Sequence, residues 1–404
     1  MQKILYIHQY FKTPSEPGGT RSYWFSKALI ENGMAVTMIA SRGKQKKLIE
    51  KETIEGIKVI YIRNAYSNDM SILRRFISFL NFMILSTWVA VRQKNIDLVY
   101  ATSTPLTIGV PALFCKWFRG MPFVFEVRDL WPEVPIQMGA FKNKRIIKLT
   151  RWLEKVIYKN AKHIIALSPG MKEGIITVGI PEDKVSMIPN MSKVEKFYKR
   201  ENNLEVANKF SIDINQFNVI HFGTMGRANG LEYIVHAAAM LKKNGINDVR
   251  FIFLGKGAIK KKLQDMAAGF KLNNLLFIDA QPMEVVSELV NLCDVSLVPF
   301  TNLPILQTNS PNKLFDSLSA GIPIIVNSAG WTKDLVEQYN CGVFVDPTNP
   351  GELAKKLIEW REQPHLLVEM GKNARRLAEN EYDVSILSAL YVSVIRNQLM
   401  HTFV

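Results

Sequence analysis

Short apolar runs rich in β-branched residues alternate along the whole chain with longer stretches of helical period, and this alternation limits the possible folds more than any other feature. In the first half the strand candidates are Lys3–His8, Ala35–Ala40, Ile57–Ile62, Asp97–Ala101, Phe123–Val127, His163–Leu167 and Val185–Ile188. In the second they are Asn218–Phe222, Arg250–Leu254, Leu275–Ile278, Val295–Val298, Ile322–Val326 and Gly342–Val345. Strands separated by helices form βαβ units and a parallel sheet, and runs this apolar are buried on both faces. Between the halves, residues 191–215 carry KVEKFYKRENNLEVANK, which is charged and has no strand signal. The expected architecture is therefore α/β, with two Rossmann-like doubly wound domains facing a central cleft. Residues 1–195 form the first and 196–382 the second, and a C-terminal helix at about 383–404 could pack back on the first.

Composition narrows the class further. With 48% hydrophobic and 22% charged residues in 404, disordered, collagen-like and coiled-coil readings are excluded. Cys115, Cys293 and Cys341 match neither a disulfide framework nor a zinc site, so they read as small buried hydrophobes of a reduced, cytosolic protein. The start, MQKILYIHQYF, lacks a small-residue cleavage site and reads as a first strand rather than a secretory signal.

The net charge of +15 is unevenly spread: residues 1–193 hold 29 Lys and Arg against 14 Asp and Glu, and the remainder 22 against 22. A basic half beside a neutral half points to an extended anionic surface as one partner. No basic-plus-aromatic motif for nucleic acid stands out. The stretch 71–91, SILRRFISFLNFMILSTWVAV, has only 16 uncharged positions between Arg75 and Arg92, short of the roughly 20 that span a bilayer. With Arg74, Arg75, Arg92 and Lys94 at its ends and Phe76, Phe79, Phe82 and Trp88 inside, it reads as an interfacial helix on an anionic membrane.

Function in doubly wound folds is sought beyond the carboxyl ends of strands, at helix N-termini. Gly18-Gly19 lies between the first strand and the helix that begins at Arg21. In the second half, Gly223-Thr224-Met225-Gly226-Arg227 joins a strand to a helix, with glycines able to wrap a phosphate and Arg227 to pair with it. Gly255-Lys256-Gly257 ends another strand ahead of Lys260, Lys261 and Lys262. Ser310 reads as an N-cap and Pro311 as the first residue of a helix continuing through Asn312, Lys313, Leu314 and Asp316. From there Asp316 could accept two hydroxyl hydrogen bonds, as from a ribose. No Asp and His cluster has metal spacing.

These stretches resemble the donor site of family-4 retaining glycosyltransferases of the GT-B fold, and the resemblance covers essentially the whole chain. Arg128-Asp129-Leu130-Trp131-Pro132-Glu133, HIIALSPGMKEGI at 163–175 and SPNKLFDSLSAGIP at 310–323 are similar to bacterial O-antigen and capsule enzymes, fucosamine transferases among them. The resemblance implies transfer of a sugar, an N-acetylated or deoxy amino sugar, from a UDP-sugar to a lipid-linked acceptor. It also implies retained configuration, no metal and no cofactor, on the inner face of the cell membrane. On it, residues 310–316 hold the diphosphate, Asp316 the ribose, Arg227 and Lys260 the leaving group, and Gly18-Gly19 the sugar and phosphates.

The chain also departs from the pattern. Thr308 stands where many members have the first of two Glu, Thr224 and Asn229 where they have a phosphate-binding Arg and Lys, and Arg128-Asp129 where they have His-Asp. A scaffold that binds nucleotide sugar without turnover, or an epimerase of the same fold, is the alternative.

Overall fold

In a computed structural model, which describes residues 1–66 and 70–400, the apolar runs become the strands of two separate sheets. Met1–Thr13, Gly19–Pro189 and the chain from Ser385 onward form one unit; Pro14–Gly18 and Asn190–Val384 form the other.

The first sheet contains β1 (Lys3–Ile7), β2 (Ala35–Arg42), β3 (Ile49–Ile54), β4 (Ile57–Arg63), β5 (Leu98–Thr102), β6 (Phe123–Val127), β7 (His163–Ala166) and β8 (Val185–Met187). Their order is β3-β4-β2-β1-β5-β6-β7-β8. Ile4, Leu5, Tyr6 and Ile7 of β1 are fully buried, as a central strand covered on both faces requires. Every pairing is parallel except β3 with β4. That edge strand, IEKETI, escapes the sequence reading because its alternating charges face solvent and leave no apolar run. Its turn, Glu55-Gly56, has both residues at positive φ, the geometry that closes a two-residue hairpin.

The second sheet contains β9 (Phe217–Phe222), β10 (Val249–Leu254), β11 (Leu275–Ile278), β12 (Val295–Val298), β13 (Ile324–Val326) and β14 (Gly342–Phe344). It is parallel throughout, in the order β11-β10-β9-β12-β13-β14. Strand order reverses between β9 and β12 here, and between β1 and β5 in the first sheet. Such switch points open a crevice at the carboxyl ends of the strands. β13 starts two residues later than expected, because Pro323 has no N–H to give a ladder.

The helix Val384–Met400 belongs to the first unit from Ser385 on; Tyr391 stacks on Phe25 at 4.0 Å and Arg396 donates to Asn32 Oδ1 at 2.9 Å. The expected helix end at 401–404 lies outside the described residues. The three cysteines are free and buried.

The 71–91 stretch forms the helix Ile72–Val91, and no helix among the described residues is long and apolar enough to cross a membrane. Two of its phenylalanines are not where an interfacial role needs them. Phe82 is 1% exposed, and Phe79 packs between Tyr66 at 5.4 Å and Trp131 at 6.3 Å, because the helix must cover the sheet before it can offer a face to lipid. Phe76 and Trp88 are exposed.

Candidate functional site

The crevice at the β9/β12 switch point is built from backbone first. Gly223, at φ +128°, turns the chain out of β9, and its N–H donates to Leu254 O at 2.8 Å while Met225 N–H donates to Lys256 O at 2.9 Å. Gly255 (φ +144°) and Gly257 (φ +157°) lie directly beneath. A side chain at Gly255 would strike the Gly223 carbonyl, and one at Gly257 the Met225 carbonyl. The Gly255-Lys256-Gly257 turn is thus a prop for the Gly223 turn, and Gly223 and Thr224 are left exposed. A cavity of about 240 Å³, lined by Thr301, Asn302, Gln307, Asn327 and Ser328 among others, adjoins the next turn of the chain, where Thr301 bonds the carbonyls of Arg227 and Ala228.

Into this turn reaches Lys313 from the first turn of the helix Asn312–Ala320. Its side chain is buried, its Nζ donates to Asn229 Oδ1 at 3.0 Å and lies 5.8 Å from the Phe300 ring centroid, and its Cε passes close to Gly223. Burial alone pulls the Lys313 pKa down to about 7. His221, buried below at the end of β9, is held well below its usual value by burial and by the Lys313 charge, and so stays neutral. Asn229, where the family resemblance led one to expect a Lys, instead receives the amine of one.

Several expected roles change in this unit. Ser310 does not cap the helix: Pro311 occupies the cap position with extended backbone and no side-chain bond, and the Ser310 hydroxyl accepts from Asn190 N–H at 3.3 Å. The tie to Asn190, strengthened by Asn190 Nδ2 donating to the Ser310 carbonyl, turns that hydroxyl away from the helix end. Asp316 is not free to take two hydroxyls. Lys193, itself buried, pairs with its Oδ1, because a carboxylate whose side chain is only 13% exposed requires a counter-charge; burial pushes its pKa up and Lys193 opposes this. Leu314 is wholly in the core, and its N–H is spent on Pro311 O at 3.1 Å. Asn312 is half-buried and Thr224 exposed.

The lysine run proves to be ion-paired. Lys260 meets Asp279 at 2.6 Å, Lys261 meets Asp265 at 2.8 Å, and Lys262 meets Glu232 at 2.9 Å. Arg227 is exposed on the 3-10 turn Arg227–Asn229. Among the described residues no group of three or more His, Cys, Asp or Glu side chains could hold a metal ion.

In the first unit, a second polar cluster sits at the carboxyl ends of β1, β5 and β6. His8 Nδ1 lies 2.8 Å from Ser22 Oγ and its Nε2 3.4 Å from an Arg128 nitrogen; burial and Arg128 together hold it well below its usual pKa, so Nε2 accepts and Nδ1 donates. Asp129 accepts from Thr104 Oγ1 at 2.9 Å, and burial raises its pKa against the pull of Thr104 and Arg128. Gly18 and Gly19 lie in the loop before the helix Arg21–Glu31, Gly18 at φ +139°.

Sequence reasoning missed Arg21, Glu126, Lys193 and the depth of Lys313. One signal was available: Glu126 interrupts the apolar run FVFEV, and a carboxylate inside a buried strand demands a partner.

Comparison with known proteins gives both halves the same assignment. Residues 18–195 match the model of Glycosyltransferase Family 4 and residues 203–377 that of Glycosyl transferases group 1. WcaI of Escherichia coli K12, a glycosyl transferase provisionally assigned to colanic acid biosynthesis, is 24% identical over 71% of this chain and 72% of its own. Alpha-galactosylglucosyldiacylglycerol synthase of Streptococcus pneumoniae is 22% identical over 60% of this chain and 62% of its own. Among solved structures, Anabaena HepE in complex with UDP and glucose superposes with a TM-score of 0.73 at 18% identity, covering 98% of this chain and all of that one.

Proposed function

Because the chain belongs to the family-4 glycosyltransferases of the GT-B fold, we propose that it moves a sugar from a UDP-sugar to a lipid-linked saccharide in surface polysaccharide synthesis. The observation that carries this is the exposed Gly223-Thr224 turn at the β9/β12 switch point, propped by the Gly255-Lys256-Gly257 turn, an arrangement suited to an anionic diphosphate. The solved neighbour with UDP supports uridine as the base. The resemblance to fucosamine transferases supports an N-acetylated or deoxy amino sugar. Asp316 Oδ2, the oxygen that Lys193 leaves, is offered to one ribose hydroxyl.

When the sugar–diphosphate bond breaks, its electron pair stays on the diphosphate, and the acceptor hydroxyl forms the new bond and passes its proton to the departing phosphate oxygen. Fixed cations and N–H groups stabilise the growing charge without a metal. Arg227 and Lys260 are proposed to contribute to that field, and Arg128 and Asp129 to be the catalytic pair of the first unit. Configuration at the sugar is retained on this reading.

The membrane part of the proposal rests on a separate observation. Phe76, Ile77 and Trp88 on the helix Ile72–Val91, Phe118 on Gly109–Arg119, and Leu149 and Trp152 on Lys144–Asn160 are all exposed, among the arginines and lysines that give the first half its charge. Apolar rings interleaved with cations fit an anionic lipid surface, each cation near it contributing about 1 kcal/mol. On this reading the protein sits peripherally on the inner face of the cell membrane.

The test is release of free UDP from labelled donor with membrane lipid present, in EDTA, by the wild type and by Phe76→Ser with Trp152→Ser. Turnover that resists EDTA and falls with the double change only when the acceptor is presented in vesicles supports the reading. Donor binding without turnover would leave the scaffold, and isomerised nucleotide sugar the epimerase.

A further inference from the structure

Of the buried cations among the described residues, Arg21 and Lys193 each pair with a carboxylate, whereas Lys313 has none. The residue is 9% exposed, and its amine holds one neutral acceptor, Asn229 Oδ1, and lies 5.8 Å from the ring centroid of Phe300. A buried ammonium without a counter-ion is costly to keep, and neither the fold of the sheet nor a cap of the helix uses it. The end of its side chain lies against Gly223, where a Cβ would approach Cε to 3.3 Å, and Gly223 and Thr224 are open to solvent. An anion resting on that turn would therefore come close to the amine, which lies 3.8 Å from where a Gly223 Cβ would stand.

We propose that Lys313 Nζ is the principal cation for the donor's diphosphate, taking the phosphates on the Gly223-Thr224 turn ahead of Arg227 and Lys260. The inference rests on the nucleotide-sugar reading above. It assigns to one side chain what that reading divides between two. Arg227 stands out in solvent and Lys260 already has Asp279, so either would bring a screened or partly neutralised charge. Lys313 brings its charge from low dielectric, where a phosphate oxygen gains most from it.

The assignment has a signature. With its pKa near 7 in the empty protein, Lys313 must take up a proton to hold an anion above that pH, so affinity should fall about tenfold per pH unit as the free amine loses its proton. His221 is the titrating group beneath it and is neutral across this range; Asn229 and Phe300 do not titrate, and Asp316, further along the same helix, stays paired with Lys193. An arginine or an ordinary lysine would keep its charge and give a flat profile.

The experiment is calorimetry of UDP and of uridine binding between pH 7 and 9, where the phosphates of UDP are about nine-tenths ionised or more because the terminal one titrates near pH 6. In the wild type, UDP affinity should weaken steadily over this range while uridine affinity stays level. Lys313→Met should bind UDP roughly 10- to 100-fold more weakly at pH 7, with no pH slope, and bind uridine as the wild type does. Equal UDP affinity in Lys313→Met, or a flat wild-type profile, overturns the assignment and leaves the nucleotide-sugar reading standing. A uridine affinity that drops together with that for UDP would show Lys313 to be only a pin for the loop, and also overturns it. A wild type that binds no nucleoside diphosphate at all removes both.

Discussion

Arg21 in the first unit and Lys313 in the second are both buried near the switch point of a doubly wound sheet, and they are treated in opposite ways. In the first, Arg21 is closed in on every side. It pairs with Glu126 at 2.8 Å, donates to the carbonyls of Ile188 and Pro189, and lies over the Phe25 ring at 4.4 Å, while Tyr100 donates to Glu126 Oε1 and Thr102 to its Oε2. In the second, Lys313 has a single neutral partner and an exposed glycine turn in front of it. The same burial that makes the first cation a structural joint makes the second a charge waiting for a ligand. What separates them is whether the protein supplies the counter-charge itself.

The largest effect should come from breaking the closed network. Glu126→Ala leaves the Arg21 guanidinium buried without its carboxylate, and should cost about 3–5 kcal/mol of stability, read from denaturant or thermal unfolding. A loss below about 1 kcal/mol would mean that the carbonyls of residues 188 and 189 suffice, and the contrast with Lys313 would collapse.

Next in size is Asp316→Ala. It strands Lys193, whose side chain is 6% exposed, but Asp316 itself retains some contact with water, so about 2–3 kcal/mol is expected. Donor affinity should fall as well. Asp316→Asn, which keeps an oxygen for Lys193, should recover part of the stability and less of the affinity; if both variants matched the wild type in donor binding, the ribose role would be lost.

Lys313→Met should move stability the other way. The folded pKa lies near 7, below the ordinary lysine value of 10.5, so the folded protein holds this proton less tightly than the unfolded chain. Lys313 therefore destabilises the fold most below pH 7, and the penalty fades as pH rises from 7 toward 10.5. Replacing it with an apolar chain of similar length should raise stability by about 1–3 kcal/mol at pH 6 and by less at pH 9. A variant less stable at both pH values would place Lys313 with Arg21 as a structural cation.

These contrasts also mark what the sequence can and cannot disclose. Thirteen apolar runs were legible as strands because a buried parallel strand writes its burial into consecutive residues, whereas β3 was not, since an edge strand with Glu50, Lys51 and Glu52 carries charges that solvent accommodates. The motif 310–323 was legible as a helix start after a strand, and both family models agree with the resemblance it carries. What did not show was partnership. That Asp316 meets Lys193 across 123 positions, or that the Lys313 amine reaches Asn229 across 84, follows from strand order, and no local pattern encodes it. Ser310 misled for the same reason: its preference for a cap is local, and the tie to Asn190 that overrides it is not.

The smallest effect on stability belongs to the surface cations, exposed Arg227 and part-buried Lys260, which complete the comparison with a third case. Lys260 holds Asp279, but that carboxylate is 84% exposed, so water replaces the bond at little cost; Lys260→Ala and Arg227→Ala should each change stability by less than about 0.5–1 kcal/mol. Their effect on the reaction should be of a different kind from that of Lys313. A charge screened by solvent adds little to holding the donor, yet it still answers charge that grows on the leaving diphosphate, so turnover should fall more than donor affinity. Measuring kcat beside donor Kd for Lys260→Ala, Arg227→Ala and Lys313→Met sorts the three. If the Lys260 and Arg227 variants lost donor affinity as severely as Lys313→Met, full burial would not be what distinguishes the cations, and the charge at this crevice would have to be treated as shared among all three.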